Sequence, residues 1–362
     1  MTRLIRKSLN RRHFLQAGAV GSLVLAAPSI LRAQTVPLKV GTYGGFFQQS
    51  FEEHIFPDFT AETGIEVESI AVPTSEAWLV QLEQAGRAGQ APADVSMMAN
   101  TQRIRGERAD MWAELDRAAV PNAENLPEFF NHTYEDGRFY GTGAVAWYIA
   151  LVTNTDVYPE APTSWQALWD PENRDRLGLL ALASNSFLLE ITAACFFGGN
   201  AILETEEGIL QVMDKLSEVR PNVRLWYRDE AQFQQALETG EIPMGQYYHD
   251  VTGLAASEGQ PVRSTFPQEG AVLDSGSWVV ARASERINDS QAFINYMCQP
   301  EVQAKLSRFV GTAPVVDRAL TDLTDEEFSA VASDATPILP YYDLYVEKRD
   351  WVTQMWNERV IG

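Results

Sequence analysis

LKVGTYGGFFQQSFEEHIFPDFTAETGIEVESIA, Leu38 to Ala71, decides the fold. Leu38–Tyr43 reads as a β-strand that turns at Gly44-Gly45. Phe47, Phe51, Ile55 and Phe59 then recur at helical spacing, which predicts an amphipathic helix from Phe46 to about Glu62. Gly64 stands where a glycine ends a helix, because it takes the left-handed conformation without steric cost. Ile65–Ala71 is a second strand. Strand, helix and strand in this order point to α/β layering with largely parallel sheets.

The alternation continues in both directions. Ser75 reads as the N-cap of a helix over Glu76–Ala88, and Asp94–Ala99 as a third strand. Trp147–Asn154 is a β-run that leads into Pro159 and Pro162. Helices are expected from about Ser186, over Thr205–Glu218 and near Asp250–Ser257, with a strand at Ile242–Gln246. Val272–Ala281 is β-like again. The remainder reads as helical: Asp289–Cys298, Pro300–Phe309, Asp325–Ala332 and a final amphipathic helix over Asp343–Glu358. There is no internal repeat and no low-complexity linker. Two lobes joined by strands that cross between them fit this better than two independent beads.

Ahead of the first strand, Asn10–Val20 (NRRHFLQAGAV) places paired arginines before Phe14-Leu15 and a small apolar run. The run is too short to span a bilayer, which takes about 20 apolar residues. A basic segment, a short apolar segment and the small-residue site Leu31-Arg32-Ala33 predict a secretory signal of the twin-arginine type, residues 1–33, cleaved near Ala33. Its six basic residues and no acidic ones leave 22 basic against 49 acidic residues, a charge of −27. Such a surface repels phosphate backbones and anionic lipid, so neither nucleic acid nor a membrane surface is an expected partner. Cys195 and Cys298 each lie in an apolar run and read as lone buried thiols.

Five stretches carry a family resemblance. They are TYGGFFQQSFEEHIFPDFTAETGIEV, ADVSMMAN, LVTNTDVYPEAPTSWQALWDPENRDRLGLL, GEIPMGQYYHD and FPQEGAVLDSGSWVVARASERINDSQAFINYMCQPEVQAKL, spread from Thr42 to Leu306. The chain resembles the extracellular solute-binding proteins of ABC importers, most of all the group with polyamine-binding and ferric-ion-binding members. The resemblance implies the two-lobe periplasmic-binding-protein fold, class II type, each lobe a mostly parallel sheet flanked by helices. It implies lobe 1 from residues 34–152 plus 277–362 and lobe 2 from 153–276, with crossover strands near Val152–Asn154 and Ser275–Ser277. A small-molecule ligand would bind in the cleft between the lobes of a periplasmic monomer, which would close by a hinge and deliver it to the permease in the inner membrane. No cofactor is expected.

Candidate ligand residues follow from strand ends and helix starts, where α/β folds place ligands. Tyr43, Gly44 and Gly45 end the first strand, although a plain turn explains the glycines equally. Ser75 and Glu76 head a helix, and Ser75 also serves as a cap. Asn100 and Thr101 follow the third strand, at positions where the resemblance implies part of the ligand wall. Ser184, Asn185 and Ser186 stand where polyamine binders place acids, so a zwitterionic or anionic solute is an alternative to an amine. Tyr247 and Tyr248 close a strand, Tyr248 where relatives stack an aromatic on the ligand. The Tyr-Tyr pair also resembles the phenolates of ferric-binding proteins, with Glu76, His249 and Asp250 as further candidates. Asp274 and Ser275 lie in the crossover block, two residues before the position, Gly276, where spacing puts the family's aspartate. Trp147, Tyr148 and Trp278 are read as core.

An exported enzyme is the competing class. Gly141–Ala146 (GTGAVA) superficially matches a nucleotide-binding fingerprint, but it runs into a β-run and not a helix. There is no paired-cysteine spacing, no helical His-x-x-x-His pair and no Gly-x-Ser-x-Gly elbow. No catalytic residue is assigned.

Overall fold

A computed structural model describes residues 36–73 and 76–362. The expected signal segment and Ser75 lie outside the described residues.

β1 (Leu38–Tyr43) forms as its apolar spacing dictates. The single helix expected after it is two, α1 (Phe46–His54) and α2 (Phe56–Thr63). Pro57 is the cause: it lacks the amide proton, its ring collides with the preceding turn, and the helix breaks at Ile55. Gly64 closes α2 in the left-handed conformation, φ 75°. β2 (Val67–Val72) pairs in parallel with β1, Leu38 opposite Val67 and Tyr43 opposite Val72. α3 (Glu76–Arg87), β3 (Val95–Ala99) and α4 (Asn100–Arg108) complete this alternation.

β4 (Asn131–Thr133) is a short strand, and β5 (Phe139–Asn154) a 16-residue one. The sequence pattern exposes only the second half of β5, because Gly141 and Gly143 look like a loop. Both are glycine for lack of room. A Cβ at Gly141 would meet the Trp278 carbonyl oxygen at 2.4 Å, and one at Gly143 the Phe130 ring at 2.7 Å.

The middle of the chain supplies β6 (Leu177–Leu180), α5 (Ala183–Ser186), α6 (Leu188–Phe196), α7 (Glu206–Ser217), β7 (Val223–Tyr227) and α8 (Glu230–Glu238). β8 (Met244–Tyr248), α9 (His249–Ser257), β9 (Val262–Thr265) and β10 (Val272–Val280) follow. The last segment is helical: α10 (Ile287–Met297), α11 (Pro300–Val310), α12 (Asp325–Val331), α13 (Tyr342–Glu347) and α14 (Arg349–Trp356).

The strands form one curled sheet in the order β2-β1-β3-β10-β5-β8-β6-β7, with β4 and β9 paired to β5. Both wings are parallel: β1 with β2 and β3, and β6 with β7 and β8. The centre, β3-β10-β5-β8, is antiparallel. The expected parallel sheets are therefore the wings of a mixed sheet. β5 and β10 run between them and pair with each other from Val272–Ile149 to Val279–Gly141.

The two main cores meet on these strands. Leu38, Phe51, Phe59, Trp278 and Phe293 belong to the first, and Leu151, Trp165, Leu177, Ile191 and Met213 to the second. Ala150 and Leu273 face the first core while Leu151 and Val272 face the second, because successive strand residues point to opposite faces. Leu344, Val352, Trp356 and Val360, assigned to lobe 1 on sequence, pack in the second core. The Trp356 indole fixes them there, donating 3.0 Å to the Ala181 carbonyl at the end of β6.

Candidate functional site

The strand ends and helix starts of both wings open on one cavity of about 890 Å³. On one side lie Ala99–Gln102 at the start of α4, on the other Ser184, Asn185 and Phe187, and α13 and the start of α14 form a third wall. Asp274 of β10 lies between them.

Asp274 is held from two directions. The Ser275 amide donates to its Oδ1 at 2.8 Å and the Tyr342 phenol to the same oxygen at 2.6 Å. The residue itself lines the cavity. Burial pushes the carboxyl up to about 6, opposed by the hydrogen bonds from Tyr342 and Ser275, with smaller help from Asn100 and Trp147. Asn100, buried at the head of α4, donates to the Ser275 carbonyl at 2.8 Å and its hydroxyl at 2.9 Å. That ties the start of α4 to the crossover strand.

Tyr43 ends β1 beside this group. Its hydroxyl is buried without a hydrogen-bond partner, and the Asp274 charge adds to burial in raising its pKa. A Cβ at Gly276 would lie 3.2 Å from that hydroxyl and 3.3 Å from Met97. A side chain at position 276 would therefore be crowded by Tyr43 and Met97. Asp274, two residues earlier on the same strand, is the acid of β10 that lines the cavity.

A second carboxylate lies deeper. Glu190 of α6 is wholly buried and accepts from the Tyr341 amide at 2.9 Å and the Tyr345 phenol at 2.8 Å. Burial pushes it up to about 7. Tyr342 and Tyr345 are three residues apart on one helix and serve two carboxylates from different parts of the fold. Phe187, at φ 50°, holds a left-handed conformation that costs a non-glycine residue about 1–3 kcal/mol, and its ring meets Tyr342 edge-on at 6.3 Å.

Toward the rim, Arg105 of α4 lies 2.7 Å from Glu76, and Arg349 bonds the same Glu76 oxygen. Lys348 bonds Glu206 at 2.8 Å, and Arg108 reaches Asp343 at 2.8 Å and Glu347 at 2.9 Å.

Residues 54–335 match the family model described as bacterial extracellular solute-binding protein. The chain belongs to this family of solute-binding proteins. This is the family of extracellular solute-binding proteins expected from its sequence. A spermidine/putrescine-binding periplasmic protein of Haemophilus influenzae is 27% identical over 259 residues, covering 71% of this chain and 70% of that protein. A gamma-aminobutyric acid-binding protein of Pseudomonas aeruginosa is 24% identical over 298 residues, covering 80% of each. The crystal structure of an ABC transporter substrate-binding protein from Bradyrhizobium japonicum superposes with a TM-score of 0.75 at 21% identity, covering 89% of this chain and 98% of that one. The two-lobe fold is the one those neighbours share.

Within this solute-binding protein, the cavity gathers Glu76, Asn100, Thr101, Ser184, Asn185 and Asp274 of the sequence candidates. Ser275 lies just behind it, buried and bonded to Asn100. Gly44 and Gly45 form an exposed turn outside the lining, Gly45 at φ 72° heading α1. Ser186 is buried, and its carbonyl accepts from Gln246 at 2.8 Å.

The tyrosine pair does not join the cavity lining. Tyr247 is buried beside Phe233, ring centroids 5.5 Å apart. Tyr248 donates to Glu230 at 2.9 Å, and burial together with Glu230 raises both phenols, the opposite of what a phenolate ligand needs. His249 bonds Ser264 at 2.9 Å and the Ser329 carbonyl at 3.0 Å. Glu76 lies apart from them, in the lining of the cavity with its two arginines. These groups do not assemble an iron site, and no three His, Cys, Asp or Glu among the described residues are grouped to hold a metal.

Tyr342, Tyr345, Phe187, Arg105 and Arg349 escaped the sequence reading. The three-residue spacing of Tyr342 and Tyr345 put them on one face, but only the tertiary fold says which carboxylates that face meets.

Proposed function

We propose that the chain captures a small organic solute bearing an ammonium group, with Asp274 as its counter-charge, and delivers it to an ABC permease in the inner membrane. The single observation that carries this is the Asp274 carboxylate: a half-buried acid lining the cavity, anchored through Oδ1 and paired with no cationic side chain among the described residues. An unpaired carboxylate in such surroundings favours a bound cation, and a cation in turn favours its ionised form. The phenols of Tyr43 and Tyr342 beside it give an aromatic surround that suits an ammonium group. The polyamine- and gamma-aminobutyrate-binding relatives, whose ligands all carry ammonium groups, support the same chemistry.

In this reading the protein is a periplasmic monomer, freed of residues 1–33, that performs no chemistry on its ligand. Lobe 1 is residues 34–152 plus the stretch after 276, less the terminal helices that pack on the second core. Lobe 2 is residues 153–276, and β5 and β10 form the hinge. A ligand that contacts both lobes biases the closed state by its extra contacts there.

A thermal-shift series with putrescine, 4-aminobutyrate, butylamine and butyrate tests it. A ligand at 100 times its dissociation constant adds about 2.7 kcal/mol of stability. The amine reading expects a raised melting point for at least one ammonium compound and none for butyrate. Stabilisation by butyrate alone would refute it.

A further inference from the structure

We propose that the solute is a short zwitterion, its ammonium group on Asp274 and its carboxylate on Arg105 and Arg349; this rests on the amine reading of the site. The cavity is electrically polar. At one end stands the carboxylate of Asp274, its Oδ1 held by Ser275 and Tyr342 and with no cationic partner among the described residues. At the other, two guanidiniums, Arg105 and Arg349, share the single carboxylate of Glu76, so this trio carries one net positive charge. Arg105 Nη1 lies 2.7 Å from Glu76 yet is buried without an aligned hydrogen bond, which leaves an unused donor. Among the other charged groups of the lining, Lys348 is held by Glu206, Glu347 shares Arg108 with Asp343, and Asp350 is exposed; none of these carboxylates pairs with Arg105 or Arg349.

The first turn of the nine-residue α4 lies nearer Asp274, where Asn100 bonds Ser275. It lines the cavity, contains no acid and has no side-chain cap at Ala99, so its free amides present positive potential. Across from it stand Ser184 and Asn185, neutral hydrogen-bonding groups and not acids. A diamine would leave one ammonium group facing guanidiniums; a carboxylate there meets two donors of planar, bidentate geometry.

The spacing sets the length. Asn100 touches Ser275, next to Asp274, and Arg105 follows five residues along the helix, about 7.5 Å of rise. Helical side chains lean toward the N-terminus, which brings the guanidinium back toward Asn100. A chain of four or five carbons between charges suits this gap.

Calorimetric titration of the purified chain with 4-aminobutyrate, 5-aminopentanoate, putrescine, cadaverine and butylamine decides it. We expect the better ω-amino acid to bind about tenfold or more tightly than the diamine of equal length and than butylamine, the worth of a charge-assisted hydrogen-bonded contact. Arg105→Glu should invert that preference. Glu76→Gln, which frees the guanidiniums, should tighten the amino acid and weaken the diamine. Diamines binding as well as amino acids, with neither variant changing the ratio, would overturn the zwitterion while leaving the amine reading intact. No binding by any ammonium compound would remove both.

Discussion

The Tyr342 phenol donates to Asp274 Oδ1 at 2.6 Å, joining the penultimate helix to a strand that runs between the two cores. One hydroxyl thus fixes the orientation of the acid that faces the cavity and couples the C-terminal wall to it. Removing that hydroxyl should be felt mainly through the charge state of Asp274. Tyr342→Phe deprives the ionised carboxylate of a donor, worth about 1.5–3 kcal/mol for a charged partner. The expected result is a loss of amine affinity of about tenfold near pH 6 that shrinks by pH 8. Titrations at both pH values check it; an equal loss at both would assign Tyr342 a purely packing role.

In the wild type, amine binding should itself depend on pH with a defined sign. Burial holds Asp274 at about 6, and the ligand requires the ionised form. Affinity should be flat above pH 7 and fall by up to tenfold per pH unit below about 6, since protons compete for the same carboxylate. Affinity that rises on acidification would contradict the assignment.

Glu190 gives a stability prediction free of ligand. Its folded pKa, about 7, is raised above the ordinary 4.5, so the native state holds this proton more tightly than the unfolded chain. The group therefore favours the fold fully below about pH 4.5, and its contribution drains away as pH rises through 7, by about 3 kcal/mol. Glu190→Gln cannot ionise. Its melting temperature relative to wild type should climb by several degrees between pH 5 and pH 8. A gap that does not change with pH would mean that Glu190 is ionised throughout.

Ferric iron should give no colour. With Tyr248 hydrogen-bonded to Glu230 and Tyr247 packed against Phe233, both phenols are held protonated. Addition of ferric citrate is expected to leave the visible spectrum unchanged. A phenolate charge-transfer band, lost in the Tyr247→Phe plus Tyr248→Phe double variant, would reverse this.

Much of this architecture is written locally. Leu38–Tyr43 and Gly64 are where periodicity and glycine chemistry put them, because strand register and helix ends are short-range effects. The errors are equally physical. Pro57 splits a helix whose apolar spacing runs on unbroken, and Gly141 and Gly143 are glycine to admit Trp278 and Phe130, which no local pattern reveals. In the cleft, Asn100 and Ser184 were visible as polar residues at helix starts, and Asp274 as an acid in the crossover block. Tyr342 and Arg105 were not, because their roles depend on partners 68 residues away for Tyr342 and across a helix packing for Arg105.

The central claim is that two lobes close on a solute held by Asp274. Small-angle X-ray scattering of the purified chain, with and without an amine at a concentration that calorimetry shows to be saturating, tests it most directly. The radius of gyration should fall for the wild type and stay unchanged for Asp274→Asn at the same amine concentration. A wild-type radius unmoved at saturation, or an equal contraction in Asp274→Asn, would contradict the account.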